Sequence, residues 1–176
     1  MHNYLIISAV GPYQPEVFNE LSRVCIQCGC NLLNVKTMIM GKEIAVILFV
    51  SGNWGAIAKM EAALPNLEQR LDLSLIARRT VEYIQPHKSM SYTMQVSAID
   101  KTGILNGLSD FLFRLGIPIE EMSAHTYLSH TGTRMAALML KISVPDTVHL
   151  ATLREQFMSY CDDHNLDAFL EPMRHL

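Results

Sequence analysis

The chain repeats itself. The apolar pattern of its first helical segment, Val17, Leu21, Val24, Cys25 and Cys28, returns as Ile104, Leu108, Phe111, Leu112 and Leu115, each 87 positions later. Gly29 and Gly116, placed where a C-terminal glycine would end that helix, keep the same spacing. A helical pattern that recurs at one offset, together with its stop signal, constrains the chain to two copies of one small module. In a chain of 176 residues each copy has roughly 85, which supports only a modest core, so each module is expected to need a neighbour.

The copies also agree in element order. In the first, Tyr4 to Val10 is a β-rich apolar run, GPYQP a turn, and Pro15 to Cys28 a helix. Asn31 to Met40 and Ile44 to Val50 flank Gly41-Lys42 as a hairpin. A helix is expected from Trp54 to Leu64, and Leu71, Leu73, Leu75 and Ala77 alternate as the last strand. The second copy runs Tyr92 to Ile99, the turn DKTG, Ile104 to Leu115, Ile119 to Leu128 and Met135 to Val144. Its hairpin turn lengthens to SHTGTR, so the offset grows to 92 at Ser51 and Ser143 and to 93 where Leu150, Leu153 and Phe157 follow Ile57, Met60 and Leu64. Drift confined to loops is what duplicated modules should show.

The order βαββαβ, twice, predicts the α+β class: two tandem ferredoxin-like units, each an antiparallel four-stranded sheet with both helices on one face. The expected boundaries are a first domain at 1–80, a linker at 81–90 around Gln85-Pro86-His87-Lys88-Ser89, and a second domain at 91–176. Runs such as Ile44 to Val50 and Met135 to Leu140 are apolar on both alternations. They predict a second buried sheet face or paired edge strands, hence association within or between chains and a homo-oligomer.

Composition removes several functional classes. Apolar residues make up 49% and charged ones 18%, which suits a packed globular chain. A net charge of −3 and a pI near 6.1 supply no basic field for nucleic acid, and no helix-turn-helix, basic arm or zinc finger can be placed. No basic leader or long apolar segment is present, so a soluble cytoplasmic protein without a membrane partner is expected. Cys25, Cys28 and Cys30 occupy positions that Leu112, Leu115 and Ile117 take in the second copy, which reads them as core rather than as a metal site. No phosphate-cradling loop, nucleophile elbow or HExxH pattern occurs, so no catalytic residue and no cofactor is assigned. His125, His130 and Arg134 gather near the long hairpin and read as a solvated loop.

The segments Cys28-Gly-Cys-Asn31, Met40-Gly41-Lys42-Glu43, Val50-Ser-Gly-Asn-Trp-Gly-Ala-Ile57, Leu64-Pro65 and Leu71-Asp-Leu73 resemble the glycine cleavage system transcriptional repressors of bacteria, which are built from tandem ACT domains. The resemblance implies an amino-acid-responsive regulator, with glycine the signal, that represses by contacting a LysR-type activator rather than DNA. The alternative is a regulatory or oligomerisation ACT subunit of an amino-acid metabolic enzyme.

A tight turn feeding a helix aims unpaired backbone N–H groups and a partial positive charge at one spot, which suits an amino-acid carboxylate. The two such turns hold Gly11, Tyr13, Gln14 and Pro15 in the first copy and Asp100, Lys101, Thr102, Gly103 and Ile104 in the second, with Asn31 a possible acceptor for an α-ammonium. The resemblance implies an Asp, then Pro-Gly three residues later. The first turn keeps Pro15 but has Tyr13 for Asp and Glu16 for Gly; the second keeps Asp100 and Gly103 but has Thr102 for Pro. Glu16 could satisfy the first helix's own amides, whereas Gly103 leaves the backbone open, so the second turn is the better candidate. Each of these residues also has a plain role as turn or cap, and Trp54 is expected to pack.

Overall fold

The computed structural model describes residues 3–82 and 89–173. Strand β1 (Asn3–Pro12) alternates strictly, burying Leu5, Ile7 and Ala9. Helix α1 (Val17–Gln27) buries Val17, Leu21 and Cys25, one residue per turn on one face. It stops where Gly29 adopts φ +78° and Cys30 N–H reaches back to the Cys25 carbonyl at 2.9 Å. Strands β2 (Asn31–Met40) and β3 (Glu43–Gly52) form the hairpin, α2 (Trp54–Leu71) recrosses the sheet, and β4 (Ser74–Thr80) completes it.

The second unit repeats the plan with β5 (Ser89–Ile99), α3 (Ile104–Arg114), β6 (Ile119–Leu128), β7 (Arg134–Pro145), α4 (Leu150–His164) and β8 (Asp167–Pro172). Both sheets are antiparallel, in the orders β2-β3-β1-β4 and β6-β7-β5-β8. The same stop recurs at Gly116 (φ +65°), with Ile117 N–H on the Leu112 carbonyl. Even an irregularity is duplicated: the edge strands skip a residue at Leu33 and at Glu120, which are 87 apart.

By its internal contacts the chain divides into two compact units, 1–84 and 85–176. Residues 83–88 of the expected linker lie outside the described residues, while Ser89 and Met90 already belong to β5. Each unit has its own core, centred on Leu5, Leu21, Leu48 and Ile57 in the first and on Met94, Leu108, Leu140 and Phe157 in the second.

Helix α2 departs from expectation. It continues through Pro65 to Leu71 rather than ending at Leu64, so Leu71 is helical and the last strand begins only at Ser74. An interior proline costs about 3 kcal/mol. Burying Leu67 and Leu71, at about 1.5–3 kcal/mol each, offsets that. The cysteines stand as read: Cys25, Cys30 and Cys161 are buried, Cys28 half-buried, and all four are free thiols. Burial pushes the Cys25 and Cys161 thiols up to about 11.

Candidate ligand-binding site

The turn after β5 is held at both ends. Asp100 N–H donates to the Arg134 carbonyl at 2.9 Å, and Lys101 Nζ donates to the His164 carbonyl, the last residue of α4, at 3.0 Å. Gly103 follows at φ +94°, a left-handed conformation that favours glycine, with no atom within 4 Å of where a Cβ would stand. Ile104 then buries its side chain and starts α3. Among the described residues neither Asp100 nor Thr102 caps α3 with a side-chain hydrogen bond.

Beside this turn lies a cleft of about 450 Å³ bounded by Asp100, Lys101, Gly103 and Ile104 on one side and by Ala124 and Thr126 of β6 on the other. The amide end of α3 and the Lys101 ammonium favour a carboxylate there, and the Asp100 carboxylate favours an ammonium. Thr102 stands on the turn but outside the lining. His125 also borders the cleft. It is a strand residue of β6 paired with Ala137, its ring 6.1 Å from that of Tyr127, and is not part of a solvated loop. The β6 residues were not legible as site residues, because only the folded hairpin brings them opposite the turn.

The first turn is built alike, with Glu16 where the second has Gly103. Tyr13 N–H donates to the Lys42 carbonyl at 2.9 Å, and Gln14 Nε2 donates to the Leu71 carbonyl, the last residue of α2, at 3.4 Å. Tyr13 and Gln14 lie 87 positions before Asp100 and Lys101, so both turns use the same two clamps. Lys101 thereby has a structural partner as well as a place on the cleft. Gly11 is an inner strand residue: a Cβ there would stand 2.5 Å from the Asp72 carbonyl oxygen, so the α2–β4 connection fills its space. Pro15 is exposed on the turn, and Glu16 makes no capping bond to α1.

Asn31 is not brought to either turn. It opens β2 opposite Ser51, which pairs with Tyr4, whereas the first turn follows Pro12. Eight strand residues at about 3.3 Å each put it roughly 25 Å from that turn. Trp54, expected to pack, is 67% exposed, because the buried stripe of α2 begins only at Ala56 and Ile57 and its first residue overhangs. No group of acidic, histidine and cysteine side chains suited to a metal occurs among the described residues. None of their helices is long and apolar enough to cross a membrane.

Two successive βαββαβ units, with a turn-to-helix cleft in the second, define a class, and sequence comparison agrees with it. The ACT domain family matches residues 3–77. The first unit thus matches an ACT domain, and the second repeats its βαββαβ plan and sheet order. It is 27% identical over 165 residues to the glycine cleavage system transcriptional repressor of Escherichia coli (strain K12), covering 93% of this chain and 86% of that protein, and equally so to the repressor of Shigella flexneri. A crystal structure provisionally assigned as a glycine cleavage system transcriptional repressor superposes with a TM-score of 0.75 at 26% identity, covering 99% of each chain. A Galdieria sulphuraria protein of unknown function has the same fold, with a TM-score of 0.77 at 18% identity over 99% of this chain and 100% of its own. The chain is thus similar to the glycine cleavage system repressors along nearly its whole length.

Proposed function

We propose that this protein senses a free α-amino acid, with glycine the effector, and represses glycine cleavage genes by binding a LysR-type activator rather than DNA. The observation that carries the sensing half is the cleft at Gly103: there the α3 amide end is uncapped by any side chain and the backbone is open, whereas the equivalent position of the first turn carries the Glu16 side chain. A carboxylate at the α3 N-terminus and an ammonium near Asp100 match a small zwitterion.

The partner half is supported by the first unit. Its helix-free sheet face exposes Ile6, Val10, Ile47 and Ile76, and Trp54 stands free at the start of α2. Contiguous apolar surface of this kind suits a protein partner or a second copy of the chain. The acidic net charge accords with contact to a protein rather than to DNA.

Calorimetric titration of the full chain with glycine is expected to show binding that Gly103→Glu abolishes. Undiminished binding in that variant would sink the site. Immobilised protein incubated with cell extract is expected to retain a LysR-type activator in a glycine-dependent manner; recovery of metabolic enzymes alone would favour an enzyme's regulatory subunit instead.

A further inference from the structure

The helix-free faces of the two sheets carry the same apolar row. On the first, Ile47 and Ile76 flank Ser8; on the second, Met139 and Phe169 flank Gln95. These four large side chains are between 46 and 70% exposed in the single chain, so nothing in it covers them. The charges beside the row differ in sign. On β4, Arg78 stands one same-face step from Ile76; on β8, Glu171 takes the equivalent place beside Phe169, and Asp167 stands on its other side. At the opposite edge Lys36 borders Ile47, where the second face has Ser123 beside Met139.

The first face thus sets cations around an apolar row, and the second sets carboxylates around a matching one. Arg78, Asp167 and Glu171 have no partner among the described residues. Lys141, which shares the second face, is answered by Glu120 at 2.9 Å and leaves the acids of β8 unmatched.

We infer that two copies of this chain pair by laying the outer face of the first unit of each on the outer face of the second unit of the other. Ile76 rests on Phe169 and Ile47 on Met139, as between the sheets of a sandwich. Whichever way the two sheets run, Arg78 then falls beside one of the acids flanking Phe169, because each is one same-face step from the stacked pair. Like faces do not serve, since two first faces would bring cations together and two second faces carboxylates. Four strands about 4.8 Å apart and six residues at about 3.3 Å make a patch roughly 20 Å square. One such contact removes about 800 Å² from water, too little for a stable pair, whereas two reciprocal contacts remove about 1,600 Å², the size of a standard stable interface. The pairing does not rest on the glycine reading of the turn. Trp54 opens α2, on the other side of the first sheet, and stays outside the contact.

The test is sedimentation of the full chain over a range of concentrations. A reversible dimer is expected. Ile76→Asp and Phe169→Asp are each expected to convert it to monomer with the far-ultraviolet circular dichroism unchanged. Arg78→Glu should weaken dimerisation at least about tenfold, and adding Asp167→Lys and Glu171→Lys to the same chain should recover it. Gly103→Glu should leave the dimer intact, which separates this contact from the amino-acid site. A monomer at every concentration, a dimer that survives Ile76→Asp and Phe169→Asp alike, or an Arg78→Glu loss that the reversed acids fail to recover would overturn the proposal.

Discussion

On the helix-free face of the first sheet, β1 turns Ile6, Ser8 and Val10 outward; at the matching positions of the second sheet β5 turns out Thr93, Gln95 and Ser97. The inner faces hardly differ, since Leu5, Ile7 and Ala9 correspond to Tyr92, Met94 and Val96, all buried. The turns differ at the helix start, where the first carries Glu16 and the second Gly103 in a left-handed conformation with open space about it. The flanking strands keep the apolar outer face in both copies, Ile47 and Ile76 of the first answering to exposed Met139 and Phe169 of the second, so apart from charge the contrast is confined to the central strand and the turns. Duplication preserved what faces the core and released what faces outward, because only the former is constrained by packing density.

The largest test of that contrast concerns the cores. Phe157 is fully buried with its ring 6.1 Å from Phe111, and its counterpart Leu64 is smaller and 8% exposed. Phe157→Ala is expected to cost about 3–5 kcal/mol in urea denaturation, more than Leu64→Ala. Equal losses would show that the second core does not depend on its aromatic pair.

Next is Gly11, whose counterpart 87 residues later is Ala98. Gly11→Ala drives a methyl into the Asp72 carbonyl and should cost about 1–3 kcal/mol, whereas Ala98→Gly should cost about 0.5–1. A thermally neutral Gly11→Ala would mean that the α2–β4 connection at Asp72 and Leu73 can give way. A smaller difference lies at the helix starts. Asn53 Oδ1 accepts from Ala56 N–H at 2.9 Å, while His149 before α4 makes no side-chain cap. Asn53→Ala should cost about 1 kcal/mol and His149→Ala almost nothing, by the same denaturation assay.

The smallest effect is one of pH. The Arg79 guanidinium hydrogen-bonded to Glu61 holds that carboxyl below its ordinary value of 4.5. The pair's contribution is therefore complete above that value and lost as pH falls through the lowered one. Glu61→Gln should flatten the acid limb of the melting temperature against pH; the same limb unchanged in the variant would show that the exposed pair adds nothing.

Much of the fold was legible in the sequence, because burial stripes and glycine stops are local signals. The strands, α1, α3 and the order of elements along the chain follow from them. The end of α2 did not, since Pro65 argues locally for a stop and only the burial of Leu67 and Leu71 overrides it. The candidate site was half legible. Asp100, Lys101, Gly103 and Ile104 do face one cleft, but the β6 wall, the burial of Gly11 and the distance of Asn31 depend on register across strands. The clamps do leave a signal in the sequence: Gln14 and Leu71 recur as Lys101 and His164, 87 and 93 positions on.

The sequence by itself determined that the chain is two ferredoxin-like modules with equivalent cores, since apolar period and helix stops are written in contiguous residues. How each turn is clamped and which edge is sealed by an ion pair were decided only by the tertiary structure. Those properties turn on side chains meeting partners far along the chain: Arg79 meets Glu61 at a separation of 18, Gln14 meets Leu71 at 57 and Lys101 meets His164 at 63. No local pattern encodes such a meeting, because its geometry exists only once the sheet has set the distance between helix end and turn.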